Sequence, residues 1–194
     1  MLSLMRAQRL FAVAAAFLLG VPASAALAEV TVIGNGLAAE CSSAARSAAG
    51  NAPARNEAMQ MCTLALQEEV LTPHETAATY VNRGVLRMVA RAFPDARADF
   101  DAALRIEPRL GEALTNRGAA LIGQGHDAEG IADIDKGLAL NPTQPEKAYY
   151  NRAVAEERLG DLKSAYGDYR KAQELKPDWD LPKTELARFR VTAE

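Results

Sequence analysis

From residue 77 to residue 179 the apolar side chains return at helical spacing, in amphipathic runs separated by short breaks that carry Gly, Pro or polar residues. Thr79 to Ala90 and Asp95 to Ile106 are two such runs, joined by Arg91-Ala92-Phe93. Helices connected by so short a turn run antiparallel, so the pair predicts a helical hairpin. A weaker version reads upstream, with a helix over Leu37 to Ala49, a turn at Gly50-Asn51-Ala52-Pro53 and a second helix through Ala58, Cys62 and Ala65-Leu66. A last helix is expected from about Pro182 to Phe189, with Trp179 packing over the final hairpin.

The hairpins repeat. Asn82-Arg83-Gly84 returns as Asn116-Arg117-Gly118 and as Asn151-Arg152-Ala153, in steps of 34 and 35 residues. Each is followed by a matching second stretch: Ala96, Phe100, Ala103 and Pro108, then Gly130, Ile134, Gly137 and Pro142, then Ala165, Tyr169, Ala172 and Pro177. In an antiparallel hairpin, residues equidistant from the turn lie level. Gly84 is then level with Ala96, Gly118 with Gly130 and Ala153 with Ala165; Tyr80 is level with Phe100, Leu114 with Ile134 and Tyr149 with Tyr169. Small faces small where the backbones cross, and large faces large where the helices diverge. The prolines end each second helix.

On these residues the sequence resembles the tetratricopeptide family, whose unit is a helix, a turn and a helix with two small positions, an aromatic between them and a closing proline. The resemblance covers Ala77 to Trp179 and implies an all-α, right-handed superhelix. Three full repeats (77–110, 111–145 and 146–179) follow a degenerate N-terminal helical hairpin with an extended lead (29–76), and a C-terminal capping helix and tail (180–194) close the stack.

The resemblance also implies a concave face lined by the first helices. Asn82, Asn116 and Asn151 form a row there, and a carboxamide, with both donor and acceptor groups, can hydrogen-bond the backbone of an extended peptide. Around the row lie Val81, Val85 and Met88, then Thr115, Ala119 and Ile122, then Lys147, Tyr150 and Val154. The same residues could instead pack against the N-terminal hairpin. Some family members clamp a C-terminal carboxylate there; Asn116 and Lys147 match that pattern, whereas Val81, Val85 and Asn151 depart from it. The expected role is a non-enzymatic scaffold that binds a protein or peptide. A self-associating, homo-oligomeric repeat protein without a peptide ligand is the alternative.

Cys41 and Cys62, the two cysteines of the chain, fall almost symmetrically about the first turn, which places them level on facing helices and predicts a disulfide. A redox-active pair would call for a Cys-x-x-Cys spacing, which is absent. Export fits the pairing. Residues 1–28 read as a signal peptide, with Arg6 and Arg9 ahead of an apolar run from Leu10 to Val21 and small residues at Ala23, Ala25, Ala26 and Ala28. Cleavage after Ala28 is preferred to cleavage after Ala25, and the run is shorter than the ~20 residues of a spanning helix, so no membrane insertion is expected after cleavage. The expected location is the bacterial periplasm.

Charge narrows the function further. Removing the leader leaves 20 basic against 25 acidic groups and no basic stripe, so a nucleic-acid role lacks its electrostatic footprint. Gly34-Asn35-Gly36-Leu37-Ala38-Ala39 matches a dinucleotide-binding turn, but the chain downstream is helical where that turn needs a parallel sheet. His74 and His126 fall in predicted connections with no second ligand at metal spacing, so neither metal nor cofactor is expected. Arg83, Arg117 and Arg152 each precede an aspartate by 16 residues, at Asp99, Asp133 and Asp168, and are read as ion pairs within or between units.

Overall fold

The computed structural model describes residues 6–9, 36–47 and 51–192. The leader and the lead to residue 35 lie outside the described residues, apart from Arg6–Arg9. Eight helices stack as four hairpins: α1 (Leu37–Ser47) with α2 (Ala52–Glu68), α3 (Pro73–Val89) with α4 (Phe93–Ile106), α5 (Gly111–Gly123) with α6 (Asp127–Leu138), and α7 (Pro145–Arg158) with α8 (Leu162–Leu175). A short helix, α9 (Asp180–Leu186), packs on α8.

Local chemistry explains the boundaries. The α3 helix begins at Pro73, six residues before the expected Thr79, because Thr72 accepts from the Glu75 amide while the Glu75 carboxylate accepts from the Thr72 amide at 2.8 Å. That reciprocal cap, with proline at the first helical position where no N–H is required, is a helix start. The same hydrogen bonds hold the Glu75 carboxyl below its usual range. The hairpin turns contain Arg91, Gly125 and Gly160, one unit apart and each at positive φ. Glycine takes that conformation readily, whereas Arg91 must hold it with a side chain attached; its guanidinium stacks over Phe93, which opens α4 and does not belong to the turn. At the other end of the first hairpin, Glu69 accepts from the amides of Leu37 (2.7 Å) and Ala38 (3.0 Å), satisfying the open end of α1.

The small crossing of the second unit is a real contact, whereas at Gly84 the nearest neighbour is the ring of Phe100 and not Ala96. A Cβ added at Gly118 would lie 2.6 Å from the carbonyl oxygen of Gly130, and one added at Gly84 would lie 2.5 Å from the ring of Phe100. Phe100, Ile134 and Tyr169, at one position of successive units, are buried. The large level pairs hold less uniformly. Tyr80 packs in the cluster of Phe100, but the partner of the Tyr169 ring is Tyr150, 5.5 Å away, while Tyr149 lies under the guanidinium of Arg152. Level position fixes height along a helix, and one residue rotates the side chain by about 100°, so height alone does not choose the contact.

The chain departs from helix at its C-terminal end. The capping helix stops at Leu186 and Phe189–Thr192 (β2) pairs antiparallel with Arg6–Arg9 (β1), Arg9 opposite Phe189 and Arg6 opposite Thr192. Phe-Arg-Val-Thr is strand-favouring, and Phe189 is held out of the helix by ring contacts with Tyr166 and Tyr169. Trp179 lies beside Tyr150, with ring centroids 5.0 Å apart. From residue 36 to residue 186 the described structure is an all-helical solenoid.

Candidate functional site

A solenoid of hairpins has two long faces, and the helix contacts identify the inner one. The first helices touch along the stack, α1 with α3, α3 with α5 and α5 with α7; among the described residues no contact of that extent joins α4 to α6 or α6 to α8. A row in contact on one side and splayed on the other curves toward the first, so α3, α5 and α7 line the concave side.

The expected groove residues occupy that row with uneven access. Val85, Met88 and Ala119 are buried, and Val85 and Met88 join the cluster that includes Ala38 of the N-terminal hairpin. Asn82, Asn116 and Asn151 are 0%, 1% and 7% exposed, and each is engaged with a neighbouring group. The amides therefore belong to the floor of the row and do not project from it. Helix α3, lying against α1, α4 and α5, is buried on nearly every side. At α7 the row opens: Lys147, Tyr150 and Val154 are half-buried. Burial, and then the charge of Glu157, raises the pKa of the Tyr150 phenol, keeping it protonated well above neutral pH.

Behind this face the charged residues form a ladder that ties unit to unit. Arg83 donates through Nε and Nη2 to the two carboxylate oxygens of Asp99, at 3.1 and 2.7 Å. Arg117 does the same to Asp133, at 2.6 and 3.0 Å, and Arg152 to Asp168, at 2.6 and 2.9 Å. The remaining nitrogen reaches back to the preceding unit: Arg117 Nη1 to Asp101 at 2.8 Å, Arg152 Nη1 to Asp135 at 2.5 Å, and Arg83 Nη1 to the hydroxyl of Thr63 at 3.1 Å. One guanidinium thus serves two hairpins, and only the bidentate half was legible as a spacing of 16 residues. The hydrogen bond to Asp133 is the main reason the Arg117 pKa is raised, as that to Asp168 is for Arg152.

Substituting Arg117→Met should lower the unfolding free energy by about 2 kcal/mol, since it leaves the nearly buried Asp133 with only the exposed Lys136 at 3.7 Å and cuts the link to Asp101. Urea denaturation gives the value. A loss below about 0.5 kcal/mol would place the ladder among ordinary surface pairs.

The paired cysteines lie at the other end. Cys41 and Cys62 are joined, with Cα atoms 4.8 Å apart. His74 lies in the first turn of α3 and not in a connection, with Nδ1 3.0 Å from Glu107; His126, in the α5–α6 turn, meets Glu129. Among the described residues no group of three His, Cys, Asp or Glu could hold a metal, and no helix is long and apolar enough to cross a membrane.

Comparison with known proteins agrees with the helix-pair geometry. Residues 146–178 match the sequence profile of the tetratricopeptide repeat. A DnaJ homolog subfamily C member 7 homolog from Dictyostelium discoideum is 34% identical over 83 residues, which is 41% of this chain and 15% of the length of that relative. Among solved structures, the type IV pilus biogenesis factor PilW superposes with a TM-score of 0.67 at 22% identity, over 80% of this chain and 69% of its own. The first TPR of Spaghetti (RPAP3), solved bound to the HSP90 peptide SRMEEVD, superposes with a TM-score of 0.54 at 24% identity, over 59% of this chain and 90% of its own. One unit matched in sequence and most of the stack matched in fold show that residues 146–178 are a tetratricopeptide repeat within a stack that has the fold of tetratricopeptide-repeat domains.

Proposed function

We propose that the chain is an exported adaptor that holds an extended segment of another polypeptide along α3, α5 and α7 and carries out no chemistry itself. The observation that carries this reading is the row of first helices in mutual contact, with three carboxamides along its floor and the half-buried Lys147, Tyr150 and Val154 at its open end. A carboxamide offers two donor hydrogens and two acceptor lone pairs, so an engaged asparagine keeps capacity for a guest backbone. Lys147 supplies a cation for a carboxylate, and Tyr150 a flat apolar wall beside Trp179. A similar fold holding a peptide in the Spaghetti complex supports the mode of binding, though not the identity of the peptide. The leader over residues 1–28 and the Cys41–Cys62 bridge favour the bacterial periplasm as its place of work.

The test is crosslinking and pull-down from envelope extracts with three baits: the wild type, the Asn82→Ala/Asn116→Ala/Asn151→Ala triple variant, and Lys147→Glu. Recovery of specific partners should fall about tenfold with Lys147→Glu, the equivalent of about 1.4 kcal/mol. The triple variant should lose partners as well, with circular dichroism reporting whether its helices are intact. Equal recovery by all three baits removes the groove from the mechanism. A concentration-dependent dimer in sedimentation that covers Lys147 and Tyr150 would put self-association in its place.

A further inference from the structure

The third unit carries a carboxylate more than its ladder can use. At the position that is Arg87 in the first full unit and Leu121 in the second, the chain has Glu156. Arg87 adds a second cation to Asp99, at 2.7 Å, and Leu121 is a neutral packing residue, whereas Glu156 brings a third carboxylate to the single guanidinium of Arg152. That guanidinium is already taken up by Asp168 and Asp135, and Glu156 Oε1 reaches its Nε only at 3.8 Å. The Glu156 side chain is 14% exposed, and its Oε2 is buried with no hydrogen-bond partner.

We propose that Glu156 makes the stability of the α7–α8 hairpin within the stack depend on pH, the third unit being held most firmly when this carboxyl is protonated.

The charged groups facing it are Asp135 on α6, Arg152 on its own helix, Asp161 capping α8 and Asp168 on α8. Three anions against one cation, around a side chain that is itself largely buried, favour the neutral acid. Burial first, then the charge of Asp168, pushes the Glu156 carboxyl from its ordinary value of 4.5 up to about 7, with Asp161 and Asp135 adding to the shift and Arg152 opposing it. A carboxyl whose folded pKa lies above its unfolded value binds its proton more tightly in the fold. Its stabilising contribution is complete below pH 4.5 and is lost as pH rises through about 7. Protonation also supplies what the geometry lacks, an O–H donor that can turn to a neighbouring carboxylate oxygen. Because α7 carries Lys147 and Tyr150, the open end of the proposed groove would loosen with rising pH while α3 and α4 would not.

Hydrogen exchange on the full chain at pH 5.5 and 7.5, expressed as protection factors, reads this directly. Protection of α7 and α8 should fall about twentyfold relative to α3 and α4, the factor that midpoints of 4.5 unfolded and about 7 folded give between these two pH values. The difference should vanish in Glu156→Gln. Parallel behaviour of the two hairpins in the wild type, or an unchanged difference in Glu156→Gln, overturns the proposal. If that variant does not fold, Glu156→Leu, which installs the residue type of the second unit, replaces it. The carboxyl carbon of Glu156, followed by NMR in the wild type, is an independent measure: a midpoint near neutrality sustains the inference, and an ordinary one near 4.5 defeats it.

Discussion

Substituting Gly118→Leu should lower the unfolding free energy by about 3 kcal/mol, at the upper end of what overpacking usually costs. The obstacle is backbone. A Cβ at residue 118 meets the Gly130 carbonyl at 2.6 Å, Ile134 Cγ1 at 2.7 Å and the Ile134 amide nitrogen at 3.2 Å, so relief requires moving α6 bodily. At Gly84 the obstacle is the ring of Phe100, which is buried in the largest core cluster and has no room to swing away. Even Gly118→Ala should therefore destabilise, reversing the advantage of about 1 kcal/mol that alanine holds over glycine inside a helix. Thermal or urea denaturation of the two variants checks this, and an alanine variant more stable than wild type would mean that the crossing is not tight.

Removing the bridge with Cys41→Ala/Cys62→Ala should cost about 3 kcal/mol, the chain-entropy value for a closed loop of about 20 residues. Cys62 stands at the place that Phe100 occupies in the next unit, so the first hairpin has a cystine where the others have a large apolar side chain. The cluster around it is small: Cys41, Ala45, Ala58 and Cys62, with Leu86 reaching in from α3. Because each repeat contacts mainly its neighbours, the loss should appear locally, as faster exchange in α1 and α2 with α7 and α8 unaffected. Adding reductant to the wild type should reproduce the effect. Two titratable thiols in the unreduced folded protein, or an unchanged exchange pattern on reduction, would show that the pairing does not hold the hairpin.

Much of this architecture was legible because the repeat is strict. Gly84, Gly118, Phe100 and Tyr169 recur at fixed places for one reason each, and a requirement imposed three times stands out against background variation. The start of α3 was also present in the residues, since Thr72 and Glu75 have capping-box spacing, but Pro73 between them reads as a breaker until its place at the first helical position is known. The candidate site was less legible. The Asn row falls on the first helices α3, α5 and α7, yet its burial depends on how closely α1, α3, α5 and α7 approach one another, which is a property of the stack. The choice of Tyr150 and not Tyr149 as the partner of Tyr169 turned on azimuth about α7.

By itself the sequence determined the helix pairs, their 34- to 35-residue period, the tight crossings and the level placement of the two cysteines, because these are set by spacing within one hairpin. Tertiary structure alone decided which face is concave, how deeply its asparagines lie, that each ladder arginine bridges two units, and that Glu156 shares one guanidinium with two aspartates. The physical reason is range. A hairpin is fixed by contacts about 20 residues apart that pattern can reveal, whereas solvent access and shared ion pairs arise only when separate hairpins are brought together.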